Sequence, residues 1–279
     1  MTNKKANIIA FDLDGTLLND KKQVGLKDYN TLIDLEKKGA LRIAATGRNL
    51  FSLNRILPPD FPMDYAVFSS GAGIYDWKSK KIINSIHITI DDIKKVLKVI
   101  APYQLNFTIH LPIPENHHML IYDQHANSTD LKNYTNFYKP YASPIDLNNL
   151  PYAATQLIVL LNSHANLFDA FSKKLIGLKT ILTTSPVDNT SLWMEVFNKN
   201  VSKANGVKWL IKYLSINKPK IFAIGNDYND LDLLNYSHFS HIVSNAPASI
   251  QKEFYVSVSN NEEALTESIS HYDIVSANN

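Results

Sequence analysis

The pentapeptide Asp12-Leu13-Asp14-Gly15-Thr16 directly follows the apolar run Asn7-Ile8-Ile9-Ala10-Phe11, so two carboxylates at i and i+2 stand where a short buried strand ends. In open α/β sheets ligands gather outside the carboxyl ends of the strands, and Asp12 and Asp14 would project there. Gly15 lets the backbone turn away sharply. Carboxylates paired in this way suit phosphoryl transfer. A calcium loop fails on spacing, because its fifth position needs Asp or Asn and its sixth Gly, where this chain has Thr16 and Leu17. A solvated acidic turn is the plainer alternative. What the rest of the chain sets beside the pair decides between the two.

The surrounding pattern supplies such company. Leu26, Tyr29, Leu32, Ile33 and Leu35 recur at helical spacing, with Lys37-Lys38 and then Gly39 as a stop. Leu41 to Ala45 reads as a second buried strand ending in Thr46-Gly47-Arg48. A helix bearing Leu50, Leu53, Ile56 and Leu57 follows and is stopped by Pro58-Pro59. Tyr65 to Phe68 is a third strand, ending in Ser69-Ser70-Gly71. Strand, helix and strand in succession predict parallel pairing, so three strands deliver polar groups and a glycine to one sheet edge.

The texture changes between residues 82 and 188. A helix is predicted at Ile93 to Ile100, with strands at Phe107 to Leu111, Met119 to Tyr122 and Gln156 to Leu161, and a proline-containing loop from Tyr138 to Pro151. The α/β alternation then resumes with a helix from Ala204 to Leu214 and a strand from Ile221 to Ile224. Gly225-Asn226-Asp227-Tyr228-Asn229-Asp230 and a helix containing Leu231, Leu233 and Leu234 come next. The expected fold class is α/β: a Rossmann-like parallel sheet with helices on both faces, in segments 1–81 and 189–279, and a smaller inserted α+β cap at 82–188.

Composition narrows the class. A chain of 279 residues can build such a core without metal or disulfide staples, and the absence of cysteine excludes disulfides, thiolate metal sites and cysteine nucleophiles. A net charge of +2 and only three arginines, Arg42, Arg48 and Arg55, offer no basic stripe for nucleic acid. No segment is long and apolar enough to span a bilayer, and the N-terminal apolar run is cut short by Asp12, so a cytoplasmic location and no membrane partner are expected.

With these residues in view, the chain resembles the haloacid dehalogenase-like superfamily, and within it the Cof-like phosphatases whose α/β cap lies between the second and third motifs. The first motif matches DLDGTLL at Asp12 to Leu18, the second Thr46 within ATGR, the third Lys203 within NVSKANG, and the fourth GNDYND at Gly225 to Asp230. SSGAGIYD at Ser69 to Asp76 and LWMEVF at Leu192 to Phe197 resemble the family's flanking segments. Two positions depart from the pattern. Asn226 stands where the family usually has Asp, and Ser70 where it usually has Asn.

The resemblance implies a Mg²⁺-dependent phosphatase acting on small phosphorylated metabolites, with sugar phosphates the expected class, through an aspartyl-phosphate on Asp12. Asp14 would be acid and base, which calls for a carboxyl able to hold a proton near neutral pH, as burial and the charge of Asp12 would favour. Thr46, Gly47, Arg48, Lys203 and Asn229 would contact the substrate phosphate. The metal set would draw on Asp12, the main chain of Asp14, and the fourth motif, where Asn226 and Asp227 are both candidates and Asp230 would order metal-bound water or Lys203. A cation is needed, since a phosphate dianion meeting Asp12 is repelled by about 4 kcal/mol at an effective dielectric near 20.

Two other functions remain open. A phosphohexose mutase would hold a second phosphate against the cap, which contains no arginine but does carry Lys132, Lys139, Lys173 and Lys174. A catalytically weak phosphometabolite-binding protein is suggested by Asn226 and Ser70. The cap is expected to close over the site, and His110, Asp123, Tyr134 and Tyr138 are candidate hydroxyl partners within it. His117 and His118, with His125, invite a metal reading, but neighbours on a strand point to opposite faces, so a surface or loop role is expected and no metal is assigned there. Monomer and homodimer are both compatible with the sequence.

Overall fold

The computed structural model describes residues 5–124, 129–162, 166–185 and 191–277. Two compact units are formed, one from Met1–Asn84 with Ser202–Asn279, the other from Ser85–Val201.

The first unit is built on an eight-stranded sheet in the order Tyr255–Ser257, Phe239–Val243, Ile221–Gly225, Ile8–Phe11, Leu41–Ala45, Tyr65–Phe68, Gly73–Asp76, Lys81–Ser85. The first six strands run parallel, and Gly73–Asp76 turns back antiparallel to Tyr65–Phe68. Every residue of Ile8–Phe11 and of Ile221–Gly225 is buried, which explains why both read as unbroken apolar runs: a central parallel strand is covered on both faces. Phe11 pairs in register with Ile224 on one side and Ala44 on the other. The residues that follow these three positions therefore emerge together at one edge.

Caps set where the flanking helices begin and end. Asn49 accepts a hydrogen bond from Ser52 N at 2.8 Å to start Leu50–Ile56, a contact worth about 1 kcal/mol. Helix Leu26–Lys37 buries Leu32 and Leu35 and is tied to the sheet by Arg42. That guanidinium is 1% exposed, yet it donates to Asp64 Oδ1 and Oδ2, Glu36 Oε2 and the Leu32 carbonyl at 2.9 to 3.1 Å. A buried cation with these bonds satisfied is tolerated, whereas removing one partner typically costs about 3 to 5 kcal/mol.

The second unit has a six-stranded sheet in the order Ala142–Pro144, Met119–Tyr122, Phe107–His110, Gln156–Asn162, Leu192–Asn198, Leu178–Thr184. Alternation along Gln156–Asn162 divides two cores. Leu157, Val159 and Leu161 face Ile93, Val96, Ile100 and Phe171 from helices Ile90–Ile100 and Asn166–Lys174. Ile158 and Leu160 face Leu131 and Trp193 on the other side.

Two expectations about this unit are corrected. The junction expected at 188 lies outside the described residues, and strand Leu192–Asn198, assigned above to the core segment, pairs with Gln156–Asn162 and Leu178–Thr184 inside the second unit. The apolar run of that strand could line either sheet, and only its partners determine which. The expected loop from Tyr138 to Pro151 contains Ala142–Pro144, a short edge strand parallel to Met119–Tyr122; three residues with one proline give too little pattern to read. No helix among the described residues is long and apolar enough to cross a membrane.

Candidate active site

Asp12 is the first residue beyond strand Ile8–Phe11, and its N–H donates to the Ile224 carbonyl at 3.0 Å, so the sheet ladder itself fixes it. Its Oδ1 accepts from Lys203 Nζ at 2.7 Å, and the same ammonium donates to Asp230 Oδ1 at 2.6 Å. Lys203 opens helix Lys203–Tyr213, which Ser202 caps by accepting from Asn205 N. All three side chains are buried. Burial alone would depress the lysine's pKa, but Asp12 and Asp230 outweigh it and raise the value, so Lys203 remains a cation. Desolvation pushes Asp12 up to about 7 against the pull of Lys203, with Asp230 and Asp14 adding repulsion.

Asp230 is held as tightly from the other side. Its Oδ2 accepts from the Asn226 and Asp227 amides at 2.9 and 3.1 Å. Gly225 makes room for it, since a Cβ there would lie 2.5 Å from Asp230 Cγ. Gly15, with φ at +75°, brings the first-motif turn against Asn226 in the same way.

The two candidate ligands of the fourth motif are placed differently. One end of the Asn226 side-chain amide meets the Asp14 carbonyl at 3.0 Å, Asp12 Oδ2 at 3.2 Å and Thr16 Oγ1 at 3.3 Å. With nitrogen at that end, the amide donates to all three oxygens. With its own oxygen there, the Asp12, Asp14 and Asn226 oxygens converge as a cluster of hard donors that a divalent cation would hold together. The residues present therefore fit a metal such as Mg²⁺. Asp227 is engaged elsewhere, since its Oδ1 accepts from Tyr228 N at 2.8 Å and caps the short turn Tyr228–Asp230.

Asp14 departs from expectation more sharply. Its carboxylate receives a bidentate pair from Arg48, Nε to Oδ2 at 2.5 Å and Nη2 to Oδ1 at 2.7 Å, and a third bond from Lys22 Nζ at 3.0 Å. Burial would raise its pKa, but Arg48 and then Lys22 more than offset this, and the net shift is downward. The expected proton-holding carboxyl is, in this arrangement, an ionised one. Arg48, expected above to contact the substrate phosphate, joins Asp14 to Ser52 Oγ at 2.6 Å.

Thr46 is buried after strand Leu41–Ala45, and its Oγ1 accepts from Arg48 N at 3.1 Å. Beside it, a Cβ built on Gly47 would lie 3.7 Å from Ser70 Oγ and 3.8 Å from Asn229 Nδ2, so the second and fourth motifs adjoin. Ser70 is itself buried, with φ at +56°, and its hydroxyl has no hydrogen-bond partner among the described residues. Asp12, Asp14, Thr46, Gly47, Arg48, Lys203, Asn226, Asn229 and Asp230 thus form one connected set. Sequence reasoning missed Lys22, whose approach to Asp14 depends on the local pairing of Leu18 with Val24, and Thr16, whose place in the first motif was the available signal.

A parallel sheet with carboxylates and a buried lysine gathered at its carboxyl edge defines an α/β enzyme that handles anionic substrates. The haloacid dehalogenase-like hydrolase family model matches residues 9–269, and the chain belongs to that family. Phosphatase YwpJ of Bacillus subtilis is 27% identical over 95% of this chain and 99% of its own length. Among solved structures, BT1666 of Bacteroides thetaiotaomicron, a phosphatase of the same superfamily, superposes with a TM-score of 0.78 at 19% identity, covering 96% of this chain and 95% of that one. The subclass IIB sugar phosphatase BT4131 gives 0.74 at 15% identity over 95% and 98%. At these identities the two structures speak to the fold.

Proposed function

We propose that this hydrolase is a Mg²⁺-dependent phosphatase of small phosphorylated metabolites, sugar phosphates foremost, working through an aspartyl-phosphate on Asp12. The observation that carries this reading is the shared lysine: Lys203 engages Oδ1 of Asp12 and leaves Oδ2 on the side of Asn226 and the Asp14 carbonyl. With a contact at each oxygen, the Asp12 carboxylate is fixed in orientation at the sheet edge, as in-line attack on a bound phosphoryl group requires. YwpJ and BT4131, named as a phosphatase and a sugar phosphatase, support the same direction.

In the first step an Asp12 oxygen forms a bond to phosphorus as the ester oxygen departs with its electron pair, and the Asp14 carboxyl gives that oxygen its proton. In the second, water attacks the same phosphorus, Asp14 takes its proton back from the water, and Asp12 is released with inorganic phosphate. Lys203 stabilises charge on the phosphoryl oxygens from a position fixed by Asp230, and Thr46, Gly47 and Asn229 orient the group. Asp12, the Asp14 main chain and Asn226 would hold the cation, which when bound neutralises charge on the transferring phosphoryl group. Arg48 links binding to proton transfer. A phosphate that competes for its guanidinium loosens the Arg48–Asp14 pair and lets the Asp14 pKa rise.

The test is release of inorganic phosphate from p-nitrophenyl phosphate and a panel of hexose phosphates, with and without Mg²⁺. Asp12→Asn is expected to lower turnover by about a thousandfold or more. Undiminished turnover in that variant would contradict the nucleophile assignment, and isomerisation of a hexose phosphate without net release would identify a mutase.

A further inference from the structure

The segment between strands Phe107–His110 and Met119–Tyr122 holds a second group of metal-ligating side chains, independent of the residues around Asp12. His117 and His118 were expected to point apart as neighbours on a strand. They instead precede Met119 in a turn, and their rings lie side by side, with centroids 4.5 Å apart and planes tilted by 57°. Both address one carboxylate. Glu115 Oε2 lies 3.4 Å from His118 Nε2 and 3.9 Å from His117 Nε2, and one ligand atom from each of the three residues falls within 4.8 Å of the others.

The group is preassembled. Glu115 N donates to the Pro112 carbonyl at 2.8 Å, His118 N to the Glu115 carbonyl at 2.9 Å, and Leu111 N to the His118 carbonyl at 3.0 Å, so the turn is closed by its own backbone. It is also anchored at both shoulders, where Ile113 N donates to His87 Nε2 and His110 Nδ1 lies 3.1 Å from the Asn116 carbonyl. The Tyr141 ring meets both imidazoles edge to face, with centroids 4.7 and 5.0 Å away, and limits their rotation.

We propose that Glu115, His117 and His118 form a binding site for a divalent transition-metal cation of the zinc class. Two imidazoles and one carboxylate are a borderline donor set, suited to zinc and its neighbours and not to Mg²⁺, which prefers oxygen ligands throughout. Metal–ligand bonds of about 2.0 to 2.2 Å require the three atoms to draw in by roughly an ångström. Half-exposed His118 and exposed Glu115 provide that movement, while His117, with 16% of its side chain accessible, stays as the fixed ligand. Three protein ligands leave at least one coordination position for water or an anionic ligand.

The full chain is titrated with Zn²⁺ by calorimetry in excess Mg²⁺, which occupies the oxygen donors around Asp12. One equivalent of Zn²⁺ is expected to bind with micromolar affinity, weakened by about tenfold or more in His118→Ala and in Glu115→Gln. His271→Ala, which removes a histidine that faces Glu267 outside the Glu115–His118 turn, serves as the control and should bind as the parent does. Melting temperatures in chelator confirm that each variant folds. Absence of micromolar Zn²⁺ binding, or the same stoichiometry and affinity in parent, His118→Ala and Glu115→Gln, overturns the proposal.

Discussion

Asn226 is the residue at which this chain's chemistry is most its own. Its amide meets Asp12 Oδ2, the Asp14 carbonyl and Thr16 Oγ1 within 3.3 Å, so it can close the place of a cation as a donor or help to hold one as an acceptor. An aspartate there could only accept. Asn226→Asp should therefore tighten Mg²⁺ binding by about tenfold or more, measured by calorimetry, because a full charge replaces a dipole at the cation. The same variant should melt at a lower temperature than the parent in chelator, where the new carboxylate faces Asp12 unscreened. Unchanged affinity would remove Asn226 from the proposed ligand set. The motif order made Asp12, Lys203 and Asp230 legible in the sequence. The Asp14–Arg48 pair was not, because residues 34 positions apart meet through side-chain geometry that spacing does not encode. Burial and the neighbouring Asp12 predicted a raised pKa for Asp14, and two cations in contact reversed the sign.

At the level of elements, legibility follows burial. Leu41–Ala45 and Tyr65–Phe68 were read with their observed bounds because each is a buried run, apolar but for Arg42, ending at a polar or glycine-bearing turn. Lys81–Ser85, at the sheet edge and half-exposed along its length, gave no such signal. Strand Phe107–His110 carries a pH dependence of its own. His110 is 2% exposed, and burial depresses its pKa from the usual 6.5 to about 4. The unfolded chain therefore binds a proton through that interval which the folded chain refuses. The corresponding stability is intact above pH 6.5 and is lost as pH falls toward 4, by up to about 3 kcal/mol. Thermal melts across this range should show the decline in the parent and a shallower one in His110→Gln; equal slopes would contradict it.

For the whole molecule, the division of the chain is the consequential feature. The first unit is discontinuous in sequence, and the second is one segment, Ser85–Val201, with its own two-sided core. The ends of that segment meet, since Asn198 Nδ2 donates to the His87 carbonyl at 3.0 Å. Expressed alone, residues 85–201 should fold cooperatively, with a stability of about 5 kcal/mol by urea unfolding followed through Trp193, which is 2% exposed. A non-cooperative transition would show that the segment depends on the remainder of the chain. Alternation of strand and helix revealed the insertion, whereas its far boundary depended on which sheet recruits Leu192–Asn198, a long-range pairing that local pattern does not record.

The central claim is that phosphorus is transferred to Asp12 before it reaches water. The enzyme, mixed with a phosphorylated substrate that turns over and quenched in acid within a single turnover, is digested and its peptides weighed. The account predicts one added phosphoryl group on the peptide carrying Asp12, absent from Asp12→Asn and lost on longer incubation. Rapid phosphate release with that peptide unmodified at every time point, or with the group on another residue, would contradict it.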